Sequence, residues 1–224
     1  MEFVTLSGTS LQASRVGLGT WAMGGWMWGG TDERESIRTI HAALDKGINL
    51  IDTAPVYGFG RSEEIVGKAV AAHGHRDKVI IATKVGLEWQ DGNVVRNATR
   101  ARVLHEIEDS LRRLQTSYID LYQVHWPDPL VPVEETADIL ALLYRQGKVR
   151  AIGVSNYSPQ EIERFRAVAC DVDPQLLSDG AAFITADAQP HVSAGDQRVK
   201  IFHGQHIAGD LLHRKLVKRL VGVE

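Results

Sequence analysis

Val79-Ile80-Ile81-Ala82-Thr83-Lys84 is the stretch on which the fold turns. Five residues with no polar alternation form a run too short for a helix. Such a run reads as a strand covered on both faces, as in a parallel sheet layered with helices. Downstream, Leu104, Ile107, Leu111 and Leu114 recur at helical spacing on one stripe. Upstream, Ile48-Asn49-Leu50-Ile51 begins a similar strand, and Val16–Thr20, Ile119–Val124 and Val149–Val154 give three more. The strands therefore recur every 30 to 40 residues or so, the length of one strand–helix unit.

The intervening segments carry helix signals. Asp32 with Glu35 makes a capping box ahead of Ile37, Ile40 and Leu44, and Gly47 stops that helix. Ser62 is read as the cap of a helix bearing Ile65, Val66 and Val70. Pro132 introduces a helix with Val133, Ala137, Leu140 and Tyr144 on one face, and Ser158-Pro159-Gln160-Glu161 opens another. Phe3–Leu6 and Leu11–Val16 flank a turn at Gly8 and read as a leading hairpin.

Both a doubly wound sheet and an eightfold (β/α)8 barrel, the TIM-barrel architecture, satisfy this α/β pattern. The first strand is not followed by the glycine fingerprint of a dinucleotide-binding doubly wound sheet. Functional-looking residues stand at the ends of several different strands, which favours the barrel. The chain has 224 residues, 44% of them hydrophobic, and a formal net charge of −3, so it offers no basic field for nucleic acid. No apolar run suits a membrane span and no leader is evident. A single cysteine, Cys170, fits a reducing compartment, and a cytoplasmic location is expected.

Asp52, Tyr57, Lys84 and His125 lie at or just beyond strand ends. Read singly, Asp52 also suits a helix cap, Lys84 a surface lysine, Tyr57 a packing residue and His125 a hydrogen-bonded core residue. Together they offer more. A buried Lys–Asp pair offsets the desolvation of each charge. An ammonium beside a phenol favours the phenolate and is expected to move its pKa toward neutrality. An imidazole can donate to a carbonyl oxygen. Such a set suits acid catalysis at a carbonyl and requires a separate hydride donor.

The runs Asp52-Thr-Ala-Pro-Val-Tyr57-Gly and Ile119-Asp-Leu-Tyr-Gln-Val-His125-Trp-Pro, the strand ending in Lys84, and Gly147-Lys-Val-Arg-Ala-Ile-Gly-Val-Ser155-Asn156 resemble the aldo-keto reductase superfamily. The chain is especially similar to bacterial stress-type members, over residues 1 to about 170. The resemblance implies an oxidoreductase reducing aldehydes or ketones with NADPH on an eightfold barrel. It implies Tyr57 as proton donor, Lys84 lowering its pKa, Asp52 pairing with Lys84, and His125 orienting the carbonyl. Ser155 and Asn156 match the pair that binds the nicotinamide carboxamide, with Asp52 also in the cofactor site. Thr20, Trp21 and Met23 match the loop lining cofactor and substrate, and Trp89 and Trp126 the pocket walls. The partner implied is a small carbonyl compound; no metal, nucleic acid or membrane enters.

After Ala169 the resemblance ends. Residues 1–169 read as the first part of a barrel with about five strand–helix units, and 170–224 as a divergent tail. Within the tail one helix is read near 208–221, from the alignment of Leu212, Leu216 and Leu220. The family's sixth to eighth strands do not follow, so a truncated, incomplete barrel is expected. Its first and fifth strands are expected to be bare edges prone to self-association. The alternative reading is a catalytically inactive relative with at most an interaction role. His203 and His206 have metal-like spacing without a third ligand, Gly58-Phe59-Gly60 reads as a turn, and Asp109–Arg113 as a solvated helix face.

Overall fold

The structure, a computed structural model, describes residues 1–6, 8–172, 185–186 and 200–202. The helix read near 208–221 and the His203–His206 pair lie outside these residues.

The chain opens with an antiparallel hairpin of β1 (Phe3–Thr5) and β2 (Gln12–Ser14). Five strand–helix units follow. They are β3 (Val16–Gly19) with α1 (Glu33–Asp45), then β4 (Leu50–Asp52) with α2 (Arg61–His73). Next come β5 (Ile80–Val85), a second hairpin of β6 (Leu87–Gln90) and β7 (Asn93–Arg96), and α3 (Arg100–Leu114). The last two units are β8 (Leu121–Val124) with α4 (Val133–Arg145) and β9 (Ile152–Ser155) with α5 (Pro159–Val172). Beyond them stand two short strands, β10 (Thr185–Ala186) and β11 (Lys200–Phe202).

The main sheet is parallel and runs β10-β9-β8-β5-β4-β3-β11. Its central five strands follow chain order, and neighbouring helices pack in the same order from α1 to α5. This is the α/β pattern of part of a (β/α)8 barrel. One expectation needs correction: neither β3 nor β9 is a bare edge. β11 pairs with Val16–Leu18 and β10 with Val154 and Ser155, so segments of the tail occupy both flanks. Their backbones satisfy part of the ladder that an edge would expose. Among the described residues β10 and β11 do not pair with each other.

Strand periodicity divides the core into two layers, because alternate residues face opposite sides. Ile51, Ile81, Tyr122, Val124, Ile152 and Val154 face the helices and meet Ile40, Ile65, Val66, Ile107, Leu140 and Phe165. Leu50, Ile80, Ala82, Leu121 and Ala151 form an inner cluster with Leu6, Leu11 and Ala13 of the leading hairpin. The hairpin thus closes the N-terminal end of the sheet. Continuing up the inner face, Leu50 is followed by Asp52, Ile80 and Ala82 by Lys84, and Leu121 by Gln123. The floor is apolar and the upper layer polar.

Several local readings hold. Asp32 accepts from Glu35 N at 3.0 Å, and Ser158 and Glu161 cap α5 reciprocally at 2.7 and 3.3 Å. Others are corrected. The N-cap of α2 is Gly60, in a left-handed conformation, while Ser62 lies inside the first turn. On α3, Leu104 is exposed and the buried stripe is Val103, Ile107 and Leu114. Arg113 and Ser110 on that helix are buried and not solvated. The β6–β7 hairpin was not read from sequence, although Asp91-Gly92, both with positive φ, is a strong hairpin turn.

Candidate active site

Asp52, Lys84 and Gln123 rise from neighbouring parallel strands on the inner face, and His125 follows β8 directly. Asp52 is fully buried, and Lys84, Tyr57 and His125 are nearly so. Lys84 Nζ donates to Asp52 Oδ1 and Oδ2 at 2.9 and 2.8 Å, to Thr53 O at 2.9 Å and to Tyr57 Oη at 3.2 Å. Gln123 Nε2 sits 3.5 Å from Asp52 Oδ1, at the limit of a hydrogen bond, and its buried Oε1 has no hydrogen-bond partner among the described residues. Sequence reasoning passed over Gln123, although its alternation with Leu121 on β8 was the available signal.

Tyr57 comes from the loop between β4 and α2. That loop is folded tightly on itself: Tyr57 N donates to Ala54 O at 3.1 Å, Gly60 N to Pro55 O at 2.7 Å, and Ser62 N to Tyr57 O at 3.1 Å. The 3-10 turn Trp21–Gly24 presses against it. A side chain on Gly24 would place its Cβ 2.5 Å from Tyr57 C, so the close approach requires glycine. The same turn stacks Trp21 on the Tyr57 ring, with centroids 5.8 Å apart and planes at 25°. His125 stands edge-on to Tyr57 at 5.9 Å.

Burial disfavours the charge on Lys84, but the attraction of Asp52 and then Tyr57 outweighs it and holds the ammonium pKa above its ordinary value. For Tyr57, burial is the largest influence. It outweighs the pull of Lys84, and Asp52 adds to it, so the phenol lies above its ordinary pKa. The expected movement toward neutrality is corrected: Tyr57 remains a protonated phenol through neutral pH. The Tyr57 oxygen accepts from Lys84, so its own proton is not used in that contact.

The other candidates fall in two groups. Thr20 is buried beneath the site, its hydroxyl donating to Asp52 O at 3.0 Å. Ser155 ends β9, and Asn156 beside it is left-handed, with Nδ2 donating to His125 O at 2.8 Å and lying 3.1 Å from Ser155 Oγ. These residues surround the four central groups. Met23 instead packs partly buried against the helix-side core. Trp89 lies on β6 against Phe59, 5.7 Å between centroids, and exposed Trp126 sits beneath the Arg96 guanidinium at 5.3 Å. Among the described residues no group of His, Cys, Asp or Glu is arranged to hold a metal, and no helix is long and apolar enough to cross a membrane.

The sequence pattern described as "Aldo/keto reductase family" matches residues 15–176. Aldo-keto reductase YhdN of Bacillus subtilis (strain 168) is 64% identical over 169 residues, covering 75% of this chain and 51% of that protein. The NADH-specific methylglyoxal reductase of Escherichia coli (strain K12) is 39% identical over 180 residues, covering 74% and 55%. Among solved structures, an aldo/keto reductase from Klebsiella pneumoniae in complex with NADP and acetate superposes with a TM-score of 0.57 at 35% identity, covering 68% of this chain and 49% of that one. The chain spans about half the length of the curated relatives it matches.

Proposed function

We propose that this chain, which belongs to the aldo/keto reductase family, reduces aldehydes or ketones to alcohols with a nicotinamide cofactor, NADPH being the form carried over from the family. The observation that carries the reading is the Lys84 ammonium, buried and joined at once to Asp52 and to the Tyr57 hydroxyl. A carbonyl being reduced gathers negative charge on oxygen, and a preorganised donor there lowers the barrier. Tyr57 gives its proton to that oxygen. The phenolate left behind is stabilised by Lys84, whose charge Asp52 fixes in place. His125, edge-on to Tyr57, orients the carbonyl oxygen from the other side.

The residues at the end of β9 suit a carboxamide. Ser155 supplies a hydroxyl and Asn156 an amide, beside His125 and within the same polar layer. Asp52 and Thr20 support that face from below, and Trp21 and Met23 belong to its loop. Trp89 and Trp126 are assigned to the substrate rim. When bound, the nicotinamide supplies a hydride to the carbonyl carbon. The chain's own residues supply the proton and exclude water from the floor, which Leu50, Ile80, Ala82 and Leu121 keep apolar.

Fluorescence titration of the purified chain with NADPH and, separately, NADH tests the cofactor. Saturation at about 1 μM to 1 mM is expected, followed by turnover of a generic aldehyde. Tyr57→Phe is expected to lower kcat about 10²–10⁴-fold while cofactor binding persists. Absence of saturation by well-folded chain would favour the non-catalytic reading. Wild-type turnover in Tyr57→Phe would remove Tyr57 as proton donor.

A further inference from the structure

Beneath the four groups just assigned, a set of buried polar residues converges on the first turn of α2. Ser62 Oγ donates to Thr20 O at 2.9 Å and lies 2.7 Å from Thr20 Oγ1 and 3.0 Å from Thr53 Oγ1. Next to it, Glu63 Oε1 accepts from Thr83 Oγ1 at 2.7 Å. The second Glu63 oxygen accepts from Arg113 Nε at 2.7 Å, and Arg113 Nη2 continues to Glu106 Oε1 at 2.6 Å. Thr20, Thr53, Thr83, Ser62, Glu63 and Glu106 are all fully buried. Arg113 reaches this point because Gly60 has no side chain: a Cβ there would lie 2.8 Å from Arg113 Cδ.

Thr20 and Thr53 directly follow β3 and β4, and Thr83 lies in the C-terminal half of β5, the next strand of the sheet. Each is tied to the Asp52–Lys84 pair. Thr20 also reaches Asp52 O, Thr53 O accepts from Lys84 Nζ, and Thr83 directly precedes Lys84. Ser62 N donates to Tyr57 O at 3.1 Å, so Ser62 also holds the backbone of the phenol. Stability alone is a poor reason for this arrangement. A buried ion pair replaced by well-packed apolar residues is often neutral or stabilising. Apolar contacts, however, tolerate sliding, whereas hydrogen bonds to defined atoms fix separations to the fraction of an ångström that a reacting constellation needs.

We propose that the Ser62–Glu63 pair, held by Thr20, Thr53 and Thr83 and backed by Arg113, is a positioning element that sets Tyr57 against the Lys84–Asp52 pair. The proposal rests on the reading of Tyr57 as proton donor. Its structural half is testable in the ligand-free chain. Thr83→Val removes the hydroxyl donated to Glu63, keeps the side-chain shape and lies on the helix side of β5, away from Lys84. Thr83→Ser restores the hydroxyl.

The ring signal of Tyr57, labelled with ¹³C and assigned by its loss in Tyr57→Phe, reports its position, and Tyr157 serves as control. Thr83→Val is expected to displace the Tyr57 signal and leave Tyr157 in place. It is expected to lower kcat about 10- to 100-fold with KM within about twofold. Thr83→Ser is expected to restore both. Ser62→Ala gives the same readout from the other half of the pair if Thr83→Val does not fold. Wild-type Tyr57 signals in the folded variants, or a Thr83→Ser variant as impaired as Thr83→Val, would overturn the proposal. A displaced signal together with undiminished turnover in Tyr57→Phe would leave the positioning intact and sink the proton-donor reading instead.

Discussion

Lys84 carries its charge where water does not reach, and among the described residues only Asp52 balances it as a full opposite charge at contact distance. Removing one partner leaves the other charged and buried. Lys84→Met is therefore expected to destabilise the fold by about 3–5 kcal/mol, and Asp52→Leu added to it to recover much of that loss. Urea unfolding of the two variants checks this; equal stabilities would refute the coupling. The pair was legible in the sequence because both residues end apolar strands, where an unpaired charge is too costly to keep. The Glu63–Arg113 pair was not. Its members are 50 positions apart on two helices, and each looks like an ordinary member of a charged helix face. Only the packing of α2 on α3 reveals that both face inward.

At the scale of elements, the approach of the Trp21–Gly24 turn to the Tyr57 loop makes the sharpest demand. Gly24 does not have a positive φ, so Gly24→Ala carries no left-handed strain and isolates the contact itself. It is expected to cost about 1–3 kcal/mol, the usual range for overpacking, and to lower turnover. A variant as stable and active as wild type would mean that the turn yields freely. The five strand–helix units were readable because continuous apolar runs alternated with capped helices. The edges were not readable. Which short piece of the tail lies beside β3 or β9 depends on backbone pairing, which Thr185–Ala186 and Lys200–Phe202 do not advertise by periodicity. Leu104 misled for a simpler reason: spacing places it near the Ile107 stripe, but the α3 face turns to favour Val103.

Across the whole molecule, burial leaves a signature at high pH. Tyr57, Tyr122 and Tyr157 all have phenols held above their ordinary pKa of 10.0, burial being the largest cause in each. In the unfolded chain these phenols ionise near 10, so above that pH the folded state retains more protons. Stability contributed by the neutral phenols is complete below pH 10 and is lost as pH rises through the folded values. Lys84 acts in the same direction from its ordinary 10.5 upward. The urea midpoint is expected to be flat from about pH 7 to 9 and to fall above about 10. Phenolate absorbance of these three tyrosines should appear together with unfolding. An unchanged midpoint at pH 11 would contradict this.

The division of the inner face into apolar floor and polar upper layer also has a meaning for mutational search. From Leu50 on β4, Ala82 on β5 and Leu121 on β8, moving two residues along the strand exchanges a position in the apolar floor for one in the polar upper layer. Libraries randomised at 50, 80, 82 and 121 would mostly yield unfolded chains. Those at 21, 89 and 126, which the proposed function assigns to the cofactor loop and the substrate rim, would mostly yield folded chains. The height of a residue above the hairpin plug is thus a coordinate for evolvability, and it can be counted off directly in steps of two.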